Sequence, residues 1–395
     1  MNILFVSAIL PWPLVSGGQV RIYNLLKRLS KKHEITLVSF IRDEHERTFT
    51  KNLSFCKHVH MVYRGKARQV KYLIRAVTSA YPWLLSTYEN TNMRQLLEEL
   101  ASREQYDLVH IEPFYVFPSL PELSIPIVVG EHNVEYRIYE DYVRVFPVVP
   151  LRPLLFLDVF KLRLQEERVW RKAAAITAVS EEDRNVMKKK TNTPVAIVAN
   201  GVDLVNFPFR STRPKRNTPV LLFVGNFSWL PNVEGCKTLL NDIWPLLKDR
   251  FPVATLRIVG RNMPQSLKKR ANALGATVVG EISDIAKEYR SADMLLAPIR
   301  IGGGTKFKML EALASGLPII TTEQGMQGLD ATAGSHYLKA STPEEFVAQT
   351  EKIWENTNLR STIIRSGRKL VEEKYSWDSI AKILDDVWKN THEKS

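Results

Sequence analysis

The sequence predicts an α/β protein of two domains, each a doubly wound parallel sheet, and three observations predict it. Short apolar runs alternate with stretches of helical periodicity along the whole chain. Gly17-Gly18 follows the first apolar run and opens the first helical stretch, the place where open α/β sheets bind ligands. The stretch 207–219 is proline-rich, basic and aperiodic, and a chain of 395 residues suits two domains of ordinary size.

Taken in order, Ile3 to Ser7 is an apolar run, followed by a turn-rich loop through Pro11, Pro13, Gly17 and Gly18. Residues 19–31 show helical spacing through Val20, Tyr23, Leu26 and Leu29, and residues 34–40 read as a strand. That is a β-α-β unit. Further strands are expected at 58–62, 108–111, 127–129, 175–178 and 195–198, with helices near 66–77, 91–103, 152–172 and 181–190. A second series begins at 220–224 and continues through strands 255–259, 277–279, 294–297 and 319–321. Its helices are expected at 233–247, 264–273 and 283–291, with a largely helical tail from 343 to 390. The expected division is therefore residues 1–206, a linker 207–219, residues 220–375, and a closing helix in 376–395.

The most informative stretch runs from Arg300 through Gly302-Gly303-Gly304-Thr305-Lys306 to Gly316-Leu317-Pro318. Glycines leading into good helix formers expose backbone N–H groups at the positive end of a helix dipole, a seat for phosphate. Lys306 and Lys308 add positive charge, and Glu311, deeper in the helix, can accept hydrogen bonds from ribose hydroxyls. A flexible glycine hinge before an amphipathic helix is the competing reading. A second candidate is Gly130-Glu131-His132-Asn133-Val134-Glu135 at a strand's carboxyl end. There His can move a proton while Glu and Asn position hydroxyls; a purely structural His is the alternative.

Composition narrows the partners. Net charge is +13, but the basic residues are spread along the chain with no zinc-finger spacing and no RNP-type motif, which argues against nucleic acid. The two cysteines, Cys56 and Cys236, lie far apart, as suits a reducing cytoplasm. The apolar region 145–160 is broken by prolines and charges, so no membrane span is expected. The stretch 64–94 interleaves Arg64, Lys66, Arg68, Lys71 and Arg75 with Tyr72, Tyr81, Trp83 and Tyr88. It suggests peripheral contact with an anionic membrane surface, against the plainer reading of a solvated helix face with its aromatics in the core.

Together these segments resemble the glycosyltransferases of family 4, over essentially the whole chain. The resemblance rests on Ile3-Leu4-Phe5-Val6-Ser7 with Gly17-Gly18, the His132 loop, Val179-Ser180-Glu181 and Asn200-Gly201-Val202-Asp203. In the second half it rests on Phe223-Val224-Gly225, Ile258-Val259-Gly260, Gly280 and above all Leu310-Glu311-Ala312 with Gly316-Leu317-Pro318. Pro231-Asn232-Val233-Glu234-Gly235 and the Gly302–Lys306 run further resemble a bacterial subgroup linked to exopolysaccharide and surface-glycan assembly.

The resemblance implies the GT-B fold, two Rossmann-like domains facing a central cleft. It implies transfer of a sugar from a nucleotide-diphosphate sugar to a glycan or lipid-linked acceptor, with retained anomeric configuration and neither metal nor cofactor. Glu311 would bind ribose, the main chain near Ile282 would face the base, and Gly17, Gly18, Gly303, Gly304 and Thr305 would approach the phosphates. His132, Lys306 and Lys308 are the catalytic candidates. Asn226 and Arg300 fall on the donor side, and Glu135 and Arg21 are candidates for the acceptor. The closing helix would cross back onto the N-terminal domain.

Two departures stand out. The family's usual first glutamate falls at Gly303, and its usual Arg and Lys after the second domain's first glycine are replaced by Asn226 and Asn232. Neutralising a diphosphate then falls to Arg300, Lys306 or Lys308. A nucleotide-sugar epimerase or hydrolase of the same fold, and a non-catalytic sugar-nucleotide scaffold, are the competing functions.

Overall fold

Continuous apolar runs become strands buried on both faces. The computed structural model describes residues 1–66, 69–212, 216–282, 284–302 and 304–394. The chain divides into two units, Met1–Ala199 with Ile380–Ser395, and Asn200–Ser379.

The first unit holds seven strands: β1 (Asn2–Ser7), β2 (Glu34–Ile41), β3 (His58–Tyr63), β4 (Leu108–Glu112), β5 (Ile127–Gly130), β6 (Ala175–Ala178) and β7 (Val195–Ile197). All pair in parallel, in the order β3-β2-β1-β4-β5-β6-β7. Strand order reverses between β1 and β4, where Ser7 stands opposite Glu112. The second unit has β8 (Val220–Val224), β9 (Thr255–Val259), β10 (Thr277–Val279), β11 (Met294–Ala297), β12 (Ile319–Thr321) and β13 (Leu338–Lys339). Their order is β10-β9-β8-β11-β12-β13, again parallel, with the reversal between β8 and β11. Both sheets are doubly wound, as expected, and each reversal marks a crevice suited to a ligand.

The expected helix 233–247 is longer and has a different centre. It runs as Leu230–Thr238, a π-helical turn Leu239–Ile243, and Trp244–Arg250. Pro245 lacks the N–H that an α-helix interior needs, and the wider turn absorbs that loss.

The division between units falls at Ala199–Asn200 rather than after residue 206. Val202 is tied to the second unit, its N–H donating to Tyr375 O at 2.8 Å. Within 207–219, the described residues on either side of 213–215 are anchored rather than free. Arg210 Nη1 donates to Arg290 O at 2.7 Å, and Arg216 Nη1 to Ser291 O at 2.7 Å and Asp293 Oδ2 at 3.1 Å. Phe209 packs on Gly316, where a Cβ would fall 2.7 Å from its ring.

The helix Trp377–His392 begins in the second unit and belongs to the first from Ile380. Within the first unit its Asp385 accepts from His33 Nε2 at 2.9 Å and Lys32 Nζ at 2.8 Å, and Lys389 adds a third donor. Burial alone would raise this carboxyl, but the three donors hold it at about 2. A depressed acid stabilises the fold above its unfolded pKa, and that stabilisation is lost as pH falls toward the folded value. Asp385→Asn should therefore cost about 2 kcal/mol at neutral pH. In melting curves, the gap to the wild type should close between about pH 4 and pH 2.

Candidate active site

In the first unit the crevice at the β1/β4 reversal is built around one buried carboxylate. Glu112 ends β4, fully buried, and Arg21 reaches it from the helix Gly17–Leu29 with Nε 2.6 Å from Oε1. Burial works against the charge on Glu112. Arg21 and hydrogen bonds from His110 and His132 outweigh it and keep the carboxyl well below its usual range.

The donor pattern assigns the tautomers. Trp388 Nε1 can only donate and lies 3.0 Å from His110 Nδ1, so the His110 proton sits on Nε2, 3.1 Å from Glu112 Oε2. Burial lowers the pKa of His110 and keeps it neutral. His132 Nε2 lies 2.9 Å from Glu112 Oε1 and donates to it. Its Nδ1 edge faces Gly18, where a Cβ would sit 3.3 Å from Nδ1 and 3.1 Å from Cε1. Glycine at 18 is thus the residue that leaves the ring its place.

The loop carrying His132 is pinned from beneath. Glu166 accepts the N–H groups of Glu135 and Tyr136 at 2.8 and 3.0 Å, capping the helix Glu135–Arg144. Glu131 accepts from Trp170 Nε1 at 2.9 Å. Burial and their mutual repulsion push both carboxyls well above the ordinary range, so the pair retains a proton.

Two sequence candidates are corrected here. Arg21 is 1% exposed, and besides Glu112 it binds Val198 O and Ala199 O at 2.8 and 2.9 Å. It supports the site from within rather than meeting an acceptor. Glu135 is also buried, and burial raises its carboxyl, with Tyr115 as its hydrogen-bonding neighbour. Its role is to hold the loop.

In the second unit the loops after β8 and β11 converge. The helix Phe307–Ser315 starts after Lys306 without a side-chain cap and ends at Gly316, which takes the left-handed conformation at φ 67°. Lys308 lies in its first turn, with Nζ 2.7 Å from Asn232 Oδ1 and 4.9 Å from the Phe223 ring centre. Asn232 Nδ2 in turn donates to Asn226 O at 2.8 Å. Burial, then the charge of Lys306, lowers the Lys308 ammonium to about 7.

Lys306 Nζ lies 3.1 Å from Gly304 O, and Thr305 Oγ1 lies 3.3 Å from Gly328 O. Glu311 is the fifth residue of the helix, and its Oε2 accepts from the Tyr289 hydroxyl at 2.7 Å. Burial raises its carboxyl, while Tyr289 and Lys308 hold it back.

Neither Asn232 nor Tyr289 was a sequence candidate. Asn232 was read as a missing cation, and it is the neutral oxygen that steadies one. Arg300, expected on the donor phosphates, turns to Ser341 O at 3.2 Å. Ile282 is half-buried in the loop before the helix Ile285–Ser291. Gly303 and Arg68 lie outside the described residues. Among the described residues no three His, Cys, Asp or Glu side chains gather so as to hold a metal ion.

Residues 15–206 match the family described as Glycosyltransferase Family 4, and residues 218–356 match Glycosyl transferases group 1. The chain is a family 4 glycosyltransferase. This glycosyltransferase has the GT-B fold, its two parallel-sheet units matching solved glycosyltransferases end to end. Sucrose-phosphate synthase from Thermosynechococcus elongatus superposes with a TM-score of 0.77 at 15% identity, over 100% of both chains. Anabaena HepE, solved with UDP and glucose, superposes at 0.68 and 13% identity over 99% of this chain and 100% of that one.

In sequence, an uncharacterized 44.6 kDa protein of the cps region of Klebsiella pneumoniae is 21% identical over 98% of this glycosyltransferase and 99% of its own length. The phosphatidyl-myo-inositol mannosyltransferase of Mycobacterium tuberculosis is 26% identical over 59% of this chain and 64% of its own.

Removing the charge of one buried partner leaves the other uncompensated. Glu112→Gln should lower stability by roughly 3–5 kcal/mol, read from the urea midpoint. Adding Arg21→Met to that variant should restore part of the loss, because the orphaned cation goes with it.

Proposed function

We propose that this glycosyltransferase moves a sugar from a nucleotide-diphosphate donor to a hydroxyl of a glycan or lipid-linked acceptor, with retention at the anomeric carbon. The observation that carries the proposal is Lys308, a half-buried ammonium held against a neutral oxygen with a second lysine beside it. Two cations brought together against their own repulsion suit a doubly charged ligand. A diphosphate supplies one, and the UDP bound by Anabaena HepE supports that choice. The Klebsiella cps-region relative and the mycobacterial phosphatidyl-inositol mannosyltransferase support an acceptor in surface-glycan or lipid-linked assembly.

In this reading Glu311, oriented by Tyr289, accepts the ribose hydroxyls. The bond from the anomeric carbon to phosphate breaks with its electron pair going to the leaving diphosphate. The start of the Phe307–Ser315 helix, Lys306 and Lys308 stabilise the growing charge more than they stabilise the intact donor. The acceptor oxygen attacks from the same face, and its proton passes to the departing phosphate oxygen. No metal or cofactor enters the scheme. His132, held by Glu112 through Nε2, hydrogen-bonds the sugar through its other edge.

Donor binding, measured by calorimetry across UDP-, GDP-, ADP- and dTDP-sugars, should weaken about tenfold or more in Glu311→Ala. Lys308→Met should lower kcat by roughly 10²-fold. Full activity in both variants would sink the assignment, and an inverted product by NMR would overturn retention.

The pH dependence has a defined sign. A diphosphate raises the Lys308 pKa from about 7, so binding takes up a proton above that pH. Donor affinity should be greatest below pH 7 and fall by up to about tenfold per pH unit above it. In Lys308→Met the slope should disappear.

A further inference from the structure

One helix of the first unit carries its apolar stripe outward. Val70, Leu73, Ile74 and Val77 recur at i, i+3, i+4 and i+7 on Val70–Thr78 and are 73, 59, 58 and 70% exposed. That spacing ordinarily marks the buried face of a helix. Here Tyr72 and Ala76 make the inward face instead. A second outward stripe lies on Arg152–Lys172, where Leu154, Leu157 and Phe160 are 62, 54 and 54% exposed.

The elements that carry the two stripes are joined. Lys161 Nζ donates to Ala76 O and Ser79 O at 2.8 and 3.0 Å, closing the end of the shorter helix, and Asp158 Oδ1 accepts from Trp83 N at 2.9 Å. An apolar surface of this extent on a polar protein marks an interaction site.

Charge decides the occupant. The segments 64–88 and 144–164 hold nine basic residues and one acid, Asp158. Glu89, Glu140 and Glu167, just outside them, pair with Arg75, Arg144 and Arg163, and the balance stays positive. Among those described, Lys66 and Lys71 are exposed beside the first stripe. Two copies of such a face would repel, whereas a negatively charged lipid surface complements both the stripe and the lysines. Among the described residues no helix is long and apolar enough to cross a membrane, so the contact would be made from one side.

The aromatics of 64–94 divide: Trp83 is 39% exposed, while two of the tyrosines turn inward. Tyr72 and Tyr88 are buried, and Arg64, also buried, stacks on Tyr88 at 4.2 Å. We infer that Val70–Thr78 and the Val145–Leu164 region form a docking face that inserts its aliphatic side chains into an anionic lipid leaflet.

The test is co-sedimentation of the full chain with phosphatidylcholine vesicles, with and without phosphatidylglycerol. The wild type should bind the anionic vesicles, and Leu73→Ser with Ile74→Ser should weaken that partition at least tenfold at an unchanged melting temperature. Lys66→Glu with Lys71→Glu should abolish the preference for anionic lipid. Absence of wild-type binding would overturn the inference, and so would binding that the serine pair leaves intact. A wild-type dimer in light scattering, dissociated by the serine pair, would assign the face to a protein contact instead. Vesicle binding needs no donor, so this result and that of the transfer assay are read independently.

Discussion

A single ionised carboxylate in a fully buried place organises the first unit. Glu112 can stay charged because Arg21 from the first helix, His132 from the loop after β5 and His110 from its own strand all turn toward it. Arg21 fixes the first helix against β4. His110 fixes the last helix through Trp388, and His132 fixes the loop after β5. A buried carboxylate without such partners would be expensive or would take up a proton. The need to satisfy one charge therefore aligns three separate pieces of backbone, and Gly130 makes room: a Cβ there would fall 2.9 Å from His110 Nε2.

The second unit solves a different problem with similar means. It holds a cation without neutralising it, which a close carboxylate partner would not do. Asn232 offers a carbonyl oxygen in place of a carboxylate, which steadies Lys308 without neutralising it. Tyr289 does the equivalent for Glu311, orienting one oxygen from a fully buried ring. In both units the groups assigned to chemistry are held by neighbouring polar side chains, Glu112 with Arg21 and His110 in the first and Asn232 and Tyr289 in the second.

Much of the fold was legible because its signals are local. Strands such as Val220–Val224, Thr255–Val259 and Met294–Ala297 are uninterrupted apolar runs, and Gly316 ends its helix by the conformation glycine favours. The two-residue strand Leu338–Lys339 and the helix Glu135–Arg144 escaped, one too short for a pattern and the other opening inside a polar loop. Of the site, Glu311, Lys308 and His132 could be found from glycine-led helices and strand ends. Glu112, Asn232 and Tyr289 could not, because each matters through a partner between 20 and 91 positions away. The outward stripe of Val70–Thr78 failed for the opposite reason: its spacing is that of a core helix, and only its neighbours reveal which side faces water.

The bond between Trp388 and His110 spans 278 positions of sequence, and it has a genetic consequence. The indole fixes which nitrogen of His110 carries a proton, and through Glu112 that choice reaches His132. A frameshift or premature stop just ahead of the Trp388 codon would leave every glycine, lysine and glutamate of the two crevices in place. It would still free the His110 ring to turn its lone pair toward a carboxylate. The codon for Trp388, so far along the chain from the crevice, is thus part of the site's electrostatics.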